Sequence, residues 1–240
     1  MGRKAVIGRF ERWDMCSLCE QRYHGVVACA LGWACWKTYV GRPETDACRR
    51  GAMAQLANGL AIADALPVRE AELSLERRLG ASEELILILQ GNVSNSYANV
   101  GRYEEAMQMK RDVYTGYLKL LGEEHASTLR SAHNYASSLA TCKRFEETKS
   151  LLRKTMPVAR RVIGENVELS LKMRWTFAKT LYVNDSAKLD DIREAVTTLE
   201  DVERRARRVF GGAHPLTTAI GRDLRRVQAA LRARETPSAR

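Results

Sequence analysis

Proline is scarce in this chain, five residues in 240, and sixteen glycines do not make up the shortfall. So few turn formers exclude a collagenous chain, a disordered Pro/Gly-rich chain and a turn-dense all-β chain, and they favour helix. Long apolar runs are missing too. The best candidate, residues 25–36, is closed by His24 and Lys37 and falls short of the roughly 20 apolar residues a membrane span requires, so it predicts a buried helix. Arg3 and Lys4 are followed by no apolar run before a cleavage site, and Val6 stands where a myristoylation signal needs Ser or Thr. A cytoplasmic chain is therefore expected. There the six cysteines, Cys16, Cys19, Cys29, Cys35, Cys48 and Cys142, are expected as thiols or metal ligands and not as disulfides.

Catalytic signatures are also lacking. The chain has no Gly-x-x-x-x-Gly-Lys-Ser/Thr phosphate loop, no Gly-x-Ser-x-Gly elbow and no pair of histidines on one helix face. Four histidines are few for an enzyme without a cofactor motif. No catalytic residue and no cofactor is expected, and the chain reads as a non-enzyme. What is present is a globular mixture, 45% hydrophobic and 28% charged, in a chain long enough to bury a core without staples. Lys and Arg number 39 against 29 Asp and Glu, a net charge of +10 that biases the protein toward acidic partners.

Self-similarity organises the sequence. A bulky apolar residue followed by Gly closes a basic amphipathic stretch four times, at Leu79-Gly80, Leu121-Gly122, Ile163-Gly164 and Phe210-Gly211, with spacings of 42, 42 and 47. Within the units Asn92 matches Asn134 and Thr176, and Glu104-Glu105-Ala106 matches Glu146-Glu147-Thr148 and Arg193-Glu194-Ala195. The five extra residues of the last unit fall between Leu181 and Arg193, where Asn184-Asp185-Ser186 supplies turn chemistry. Each unit carries two apolar stripes at helical spacing, as in Val93, Tyr97 and Val100, then Ala106, Met109, Val113 and Tyr117. That pattern is a helical hairpin ended by Gly at a left-handed cap. A lone hairpin cannot bury both helix faces, so the units must stack into an all-α, right-handed α-solenoid. The expected organisation is an N-terminal Cys/Trp-containing helical segment (1–42), a degenerate first repeat (43–79), repeats at 80–121, 122–163 and 164–210, a C-terminal capping helix (211–235) and a disordered tail (236–240).

The string Leu121-Gly122-Glu123-Glu124-His125, then Asn134-Tyr135-Ala136, then Arg144-Phe145-Glu146-Glu147, resembles the 42-residue tetratricopeptide repeat of the kinesin light chain type. Gly211-Gly212-Ala213-His214-Pro215 resembles the start of one more repeat, and the likeness covers roughly 45–235. Two departures stand out. Lys143 occupies the turn position where Gly101 stands one repeat earlier, and Pro67 and Pro157 fall inside second helices, where kinks and not breaks are expected. The resemblance implies a concave groove, lined by the first helices, that holds an extended peptide or a helix. Register places Ile88, Gly91, Asn92 and Asn95 in that groove, then Arg130, His133, Asn134 and Ser137, then Lys172, Trp175, Thr176 and Lys179, and finally Arg222, Asp223 and Arg226 on the terminal helix. Asn92 and Asn134 resemble the family's backbone-clamping asparagines, an amide being both donor and acceptor. The strip is basic, which implies an acidic peptide partner, with Trp175 as an aromatic surface.

A rival reading rests on Cys16, Cys19, His24 and Cys29, spaced Cys-x2-Cys-x4-His-x4-Cys like the ligands of a zinc knuckle that binds single-stranded nucleic acid. Against it, Tyr23 precedes the His where a knuckle has Gly, and apolar Gly25-Val26-Val27-Ala28 follows. The alternative is a buried helix over 23–39 in which Cys29, Cys35, Trp33 and Trp36 pack. His125 and His214 repeat at one loop position and mark the loop, while Arg204-Arg205 and Arg207-Arg208 read as a solvated outer face. Two function classes follow: a non-catalytic protein-interaction scaffold, and a zinc-dependent nucleic-acid-binding protein.

Overall fold

The computed structural model describes residues 13–16, 18–184 and 187–235. The readings at Arg3, Lys4 and Val6, at Asp185 and Ser186, and over the 236–240 tail lie outside the described residues. Among the described residues ten complete helices follow one another: α1 (Gly25–Tyr39), α2 (Ala47–Gly59), α3 (Ile62–Arg78), α4 (Glu83–Asn99), α5 (Tyr103–Leu121), α6 (Ala126–Thr141), α7 (Phe145–Val162), α8 (Glu168–Val183), α9 (Leu189–Phe210) and α10 (Pro215–Glu235). Among the described residues no strand forms; a single antiparallel bridge joins Met15 to Arg22. Among the described residues no helix is long and apolar enough to cross a membrane. The chain divides into two compact units, Met1–Met109 and Lys110–Arg240, with the division inside α5.

In the first unit α1 packs on α2, α2 on α3 and α3 on α4. The α1–α2 crossing is set by glycines: a Cβ on Gly59 would stand 2.4 Å from the Ala28 carbonyl oxygen, and one on Gly32 would stand 3.2 Å from the Leu56 Cα. Cys35, Tyr39, Cys48 and Ala52 form one core with Trp13 and Trp36 against them, and Leu66, Leu73, Leu89 and Val93 form another that Met109 of α5 joins. The helix expected from residue 23 begins at Gly25 instead. His24 is extended and Tyr23 N–H donates to the Asp14 carbonyl at 2.9 Å, so the preceding turn takes these two residues from the helix. Trp33, expected to pack, is exposed (44%), because the glycine-set crossing turns the opposite side of α1 inward.

The second unit pairs α6 with α7 and α8 with α9, and lays α10 on α9 and α8. Its core runs from Leu129 and Leu152 through Leu171, Met173, Phe177 and Leu181 to Ile192, Leu199, Val202, Ile220 and Val227. The extra residues of the last hairpin sit in the link between α8 and α9, where Ala187 N–H returns to the Asn184 carbonyl at 2.9 Å. Pro67 lies inside α3 and Pro157 inside α7, and both helices continue past them. Both prolines are exposed, so water can satisfy the carbonyl that a proline leaves without its helical donor.

The helix ends explain the repeat landmarks. Gly80, Gly122, Gly164 and Gly211, which close the second helices, all take positive φ, from 68° to 96°. The first helices α4 and α6 end in matching caps: Gly101 N–H bonds Ala98 O at 3.2 Å and Arg102 N–H bonds Tyr97 O at 2.9 Å, while Lys143 N–H bonds Ala140 O at 3.1 Å and Arg144 N–H bonds Leu139 O at 2.8 Å. Lys143 therefore adopts φ of 60° without being glycine. His125 and His214 are caps as well: the Nδ1 of each accepts a backbone N–H, from Ser127 at 3.1 Å and from Leu216 at 3.2 Å.

Charges close the hairpins. An Arg late in the second helix reaches the acid at the start of its own repeat in three cases: Arg78 to Glu44 at 3.2 Å, Arg161 to Glu124, and Arg205 to Glu165 at 3.1 Å. Asp201 also gathers Arg174 at 2.8 Å, Arg205 at 2.7 Å and Arg204. Burial alone would raise the Asp201 carboxyl, but the three guanidinium donors outweigh it and hold it well below the usual carboxylate range. Arg205 is thus half-buried and tied, while Arg204, Arg207 and Arg208 remain on the exposed face.

Candidate peptide-binding site

In the second unit a cavity of about 420 Å³ opens between α6 and α8, with Phe145 of α7 at its edge. It is lined by His133, Ser137, Ala140 and Thr141 from α6 and by Lys172, Trp175, Thr176, Lys179, Thr180 and Val183 from α8. The helical period brings positions 172, 175, 176, 179 and 183 of α8 onto one side, while Met173, Phe177 and Leu181 turn into the core. Of the residues placed by repeat register, His133, Ser137, Lys172, Trp175, Thr176 and Lys179 meet here. Arg130 and Asn134 are exposed on α6, and Arg222 and Arg226 on α10, outside that lining. In the first unit Asn92 is half-buried on α4, with Asn95 and Ile88 exposed and Gly91 between them. Phe145, Ala140, Thr141, Thr180 and Val183 were not in the sequence-derived set. Phe145 had a signal, its place in the Arg-Phe-Glu-Glu string that matches Arg102-Tyr103-Glu104-Glu105 one repeat earlier, but nothing in the string says that its ring turns toward α8.

The polar groups are fixed by neighbours. His133 Nε2 lies 3.3 Å from Thr176 Oγ1, and burial, reinforced by the Lys172 and Lys110 charges, pulls the imidazole down to about 4. It is neutral at pH 7 and serves as a hydrogen-bonding wall. Trp175 Nε1 donates to Asp223 Oδ2 at 2.8 Å, which ties α8 to α10 and orients the indole. Asp223, which register placed in the groove, is buried (6%) beneath that indole instead, and Arg226 stands 3.9 Å from it. It sits between Ile220 and Val227 on the inward stripe of α10, and the tryptophan donor compensates its burial. Lys172 pairs with Glu168 one turn back at 2.6 Å, so the strip is less basic than its register positions alone imply. Lys179 is exposed at the edge and has no ion pair among the described residues.

The rival metal set does not assemble. Cys16 and Cys19 touch each other, but among the described residues no group of three or more His, Cys, Asp or Glu side chains is placed to hold a metal ion. His24 instead stands exposed at the start of α1.

A family model described as tetratricopeptide repeat matches residues 88–127 and 128–166. Residues 88–166 are tetratricopeptide repeats. The tetratricopeptide fold extends well beyond them: the nearly identical tetratricopeptide-like repeats of a Podosopora anserina protein described as a kinesin light chain match over 76% of this chain and 84% of that one, at 20% identity and a TM-score of 0.61. BtubC from P. vanneervenii matches over 89% of this chain and 94% of its own, at 14% identity and a TM-score of 0.64. The apo form of RapI matches over 86% and 78% respectively, at 15% identity and a TM-score of 0.55. No curated protein matches the sequence. The fold is therefore an all-α solenoid of tetratricopeptide hairpins similar to kinesin light chain repeats.

Proposed function

We propose that the chain is a non-catalytic scaffold that binds an extended, acidic peptide segment of a protein partner across α6 and α8. The observation that carries this is the cavity itself. It offers an apolar floor from Ala140, Phe145, Trp175 and Val183, neutral hydrogen-bonding groups at His133 and Thr176, and two cations at Lys172 and Lys179. That combination suits a peptide with an aromatic anchor flanked by carboxylates. Asn134, exposed beside His133, is the backbone clamp of this site, and Asn92 takes the same role in the first unit. Cations at a partly exposed groove contribute specificity and association rate more than affinity, so binding weakens as salt rises. The cavity's histidine is held neutral against the Thr176 hydroxyl and offers a peptide a hydrogen-bonding group without charge.

The test is fluorescence polarisation with an acidic, Trp-containing peptide library. Asn134→Ala and the double reversal Lys172→Glu with Lys179→Glu are expected to weaken binding, the latter with a flattened salt dependence. If no acidic peptide binds, or if the reversal leaves binding and its salt dependence unchanged, the proposal fails.

A further inference from the structure

The turn before α1 carries chemistry that the groove does not use. Cys16 precedes it and Cys19 lies in it, and the Met15–Arg22 bridge closes the segment. Cys16 N–H donates to the Gln21 carbonyl at 2.9 Å, and Glu20 N–H donates to the Cys16 carbonyl at 2.9 Å. Leu18 and Cys19 form the turn itself, and Glu20 leaves it with φ of 55°. The bond from Glu20 N–H back to the Cys16 carbonyl folds the chain on itself within five residues, and a disulfide spans Cα separations of about 4.4–6.8 Å. The two thiols are already in hydrogen-bonding contact, and the backbone N–H groups of Cys19 and Leu18, with the Tyr23 hydroxyl, converge on the Cys16 sulfur. Cys19 is exposed and Cys16 half-buried, whereas Cys35 and Cys48 are sealed in the core.

We propose that Cys16 and Cys19 form an oxidisable dithiol that exchanges with a small-molecule disulfide of the glutathione class and closes to an intrachain disulfide. In the first step the Cys16 thiolate attacks one sulfur of the incoming disulfide; that S–S bond breaks and one thiolate leaves. In the second, Cys19 gives its proton to the departing thiolate through solvent and attacks the Cys16 sulfur, which releases the other half of the reagent. The two cysteines lose two electrons and two protons, and the reagent becomes two thiols. The donors around its sulfur make Cys16 the attacking group, since backbone N–H groups stabilise the thiolate. In keeping with that placement, the N–H donors of Cys19 and Leu18 draw the Cys16 thiol down to about 7.

The experiment incubates the full chain at pH 7 with oxidised glutathione and follows each cysteine by differential alkylation and peptide mass spectrometry, with Cys142 as the reference thiol in the same molecule. The wild type should end with Cys16 joined to Cys19 and no lasting glutathione adduct at either. Cys19→Ser should instead accumulate a glutathione adduct on Cys16, and Cys16→Ser should slow modification at position 19 by about fivefold or more. Circular dichroism on each variant shows that the helices remain, so that a lost response cannot come from unfolding. A lasting adduct on the wild type, oxidation of the pair no faster than that of Cys142, or a zinc ion in the purified chain that withholds both thiols from the reagent would each overturn the proposal.

Discussion

Lys143 holds a left-handed conformation that its repeat partner, Gly101, reaches without a side chain. A Cβ in that region costs roughly 1–2 kcal/mol, and the cap hydrogen bonds on either side are the same in both repeats. Lys143→Gly should therefore raise stability by about 0.5–1 kcal/mol, the gain being reduced by glycine's greater freedom in the unfolded chain. Urea titration of the two proteins measures it. Glu72 is the counterpart among charges. Burial pushes its carboxyl up to about 7, Arg69 opposing and Glu76 adding to the rise. A carboxyl raised in the folded state adds no penalty below its unfolded value and destabilises progressively as pH climbs from about 4.5 to 7. Glu72→Gln should leave the melting temperature unchanged at pH 4 and raise it at pH 8. Equal shifts at both pH values would contradict the assignment.

At the scale of single helices, much was legible because the signals are local. Apolar stripes, Gly at the ends and a 42-residue register can be read along the chain, so the helical hairpins followed from sequence, as did the shared side of α8 that carries Lys172, Trp175, Thr176 and Lys179. What depends on how helices meet did not. The exposure of Trp33 follows from the backbone approach at Gly32 and Gly59, and the burial of Asp223 follows from an indole that arrives from another helix. The Lys172–Glu168 pair spans one turn and was readable in principle, but it came from outside the set of register positions. The α1–α2 crossing offers a direct check. Gly59→Ala places a methyl against the Ala28 carbonyl oxygen, and overpacking of that kind costs about 1–3 kcal/mol. A loss in that range, accompanied by a change in Trp36 fluorescence, is expected; an unchanged melting curve would show that α1 does not approach so closely.

For the whole chain, α10 is what finishes the second unit. Leu216, Ile220 and Val227 are buried in its core, Arg193 reaches Glu235 at 2.9 Å, and Arg234 donates to the Ala187 carbonyl. Deleting residues 215–240 should bare Leu199 and Val202 and produce self-association with a broadened melt, visible by light scattering alongside calorimetry. Ile220→Ala is the milder version, with an expected loss of about 2–5 kcal/mol. A truncated chain that stays monomeric with an unaltered transition would refute this role for α10.

The Arg-to-acid pairs at Glu44 and Arg78, Glu124 and Arg161, and Glu165 and Arg205 each begin and end inside one hairpin. Each pair is exposed or half-exposed and adds little to stability by itself. Their placement nevertheless keeps both partners of each of these three pairs inside one hairpin. A copying event that inserts or removes a unit in register carries both partners of its pair together and strands no charge on the hairpin next door, whereas one that begins half a unit late separates them. For these three pairs the unit of duplication and the unit of charge balance coincide, whereas Arg193, which reaches Glu235 on the terminal helix, would lose its partner if its hairpin moved alone.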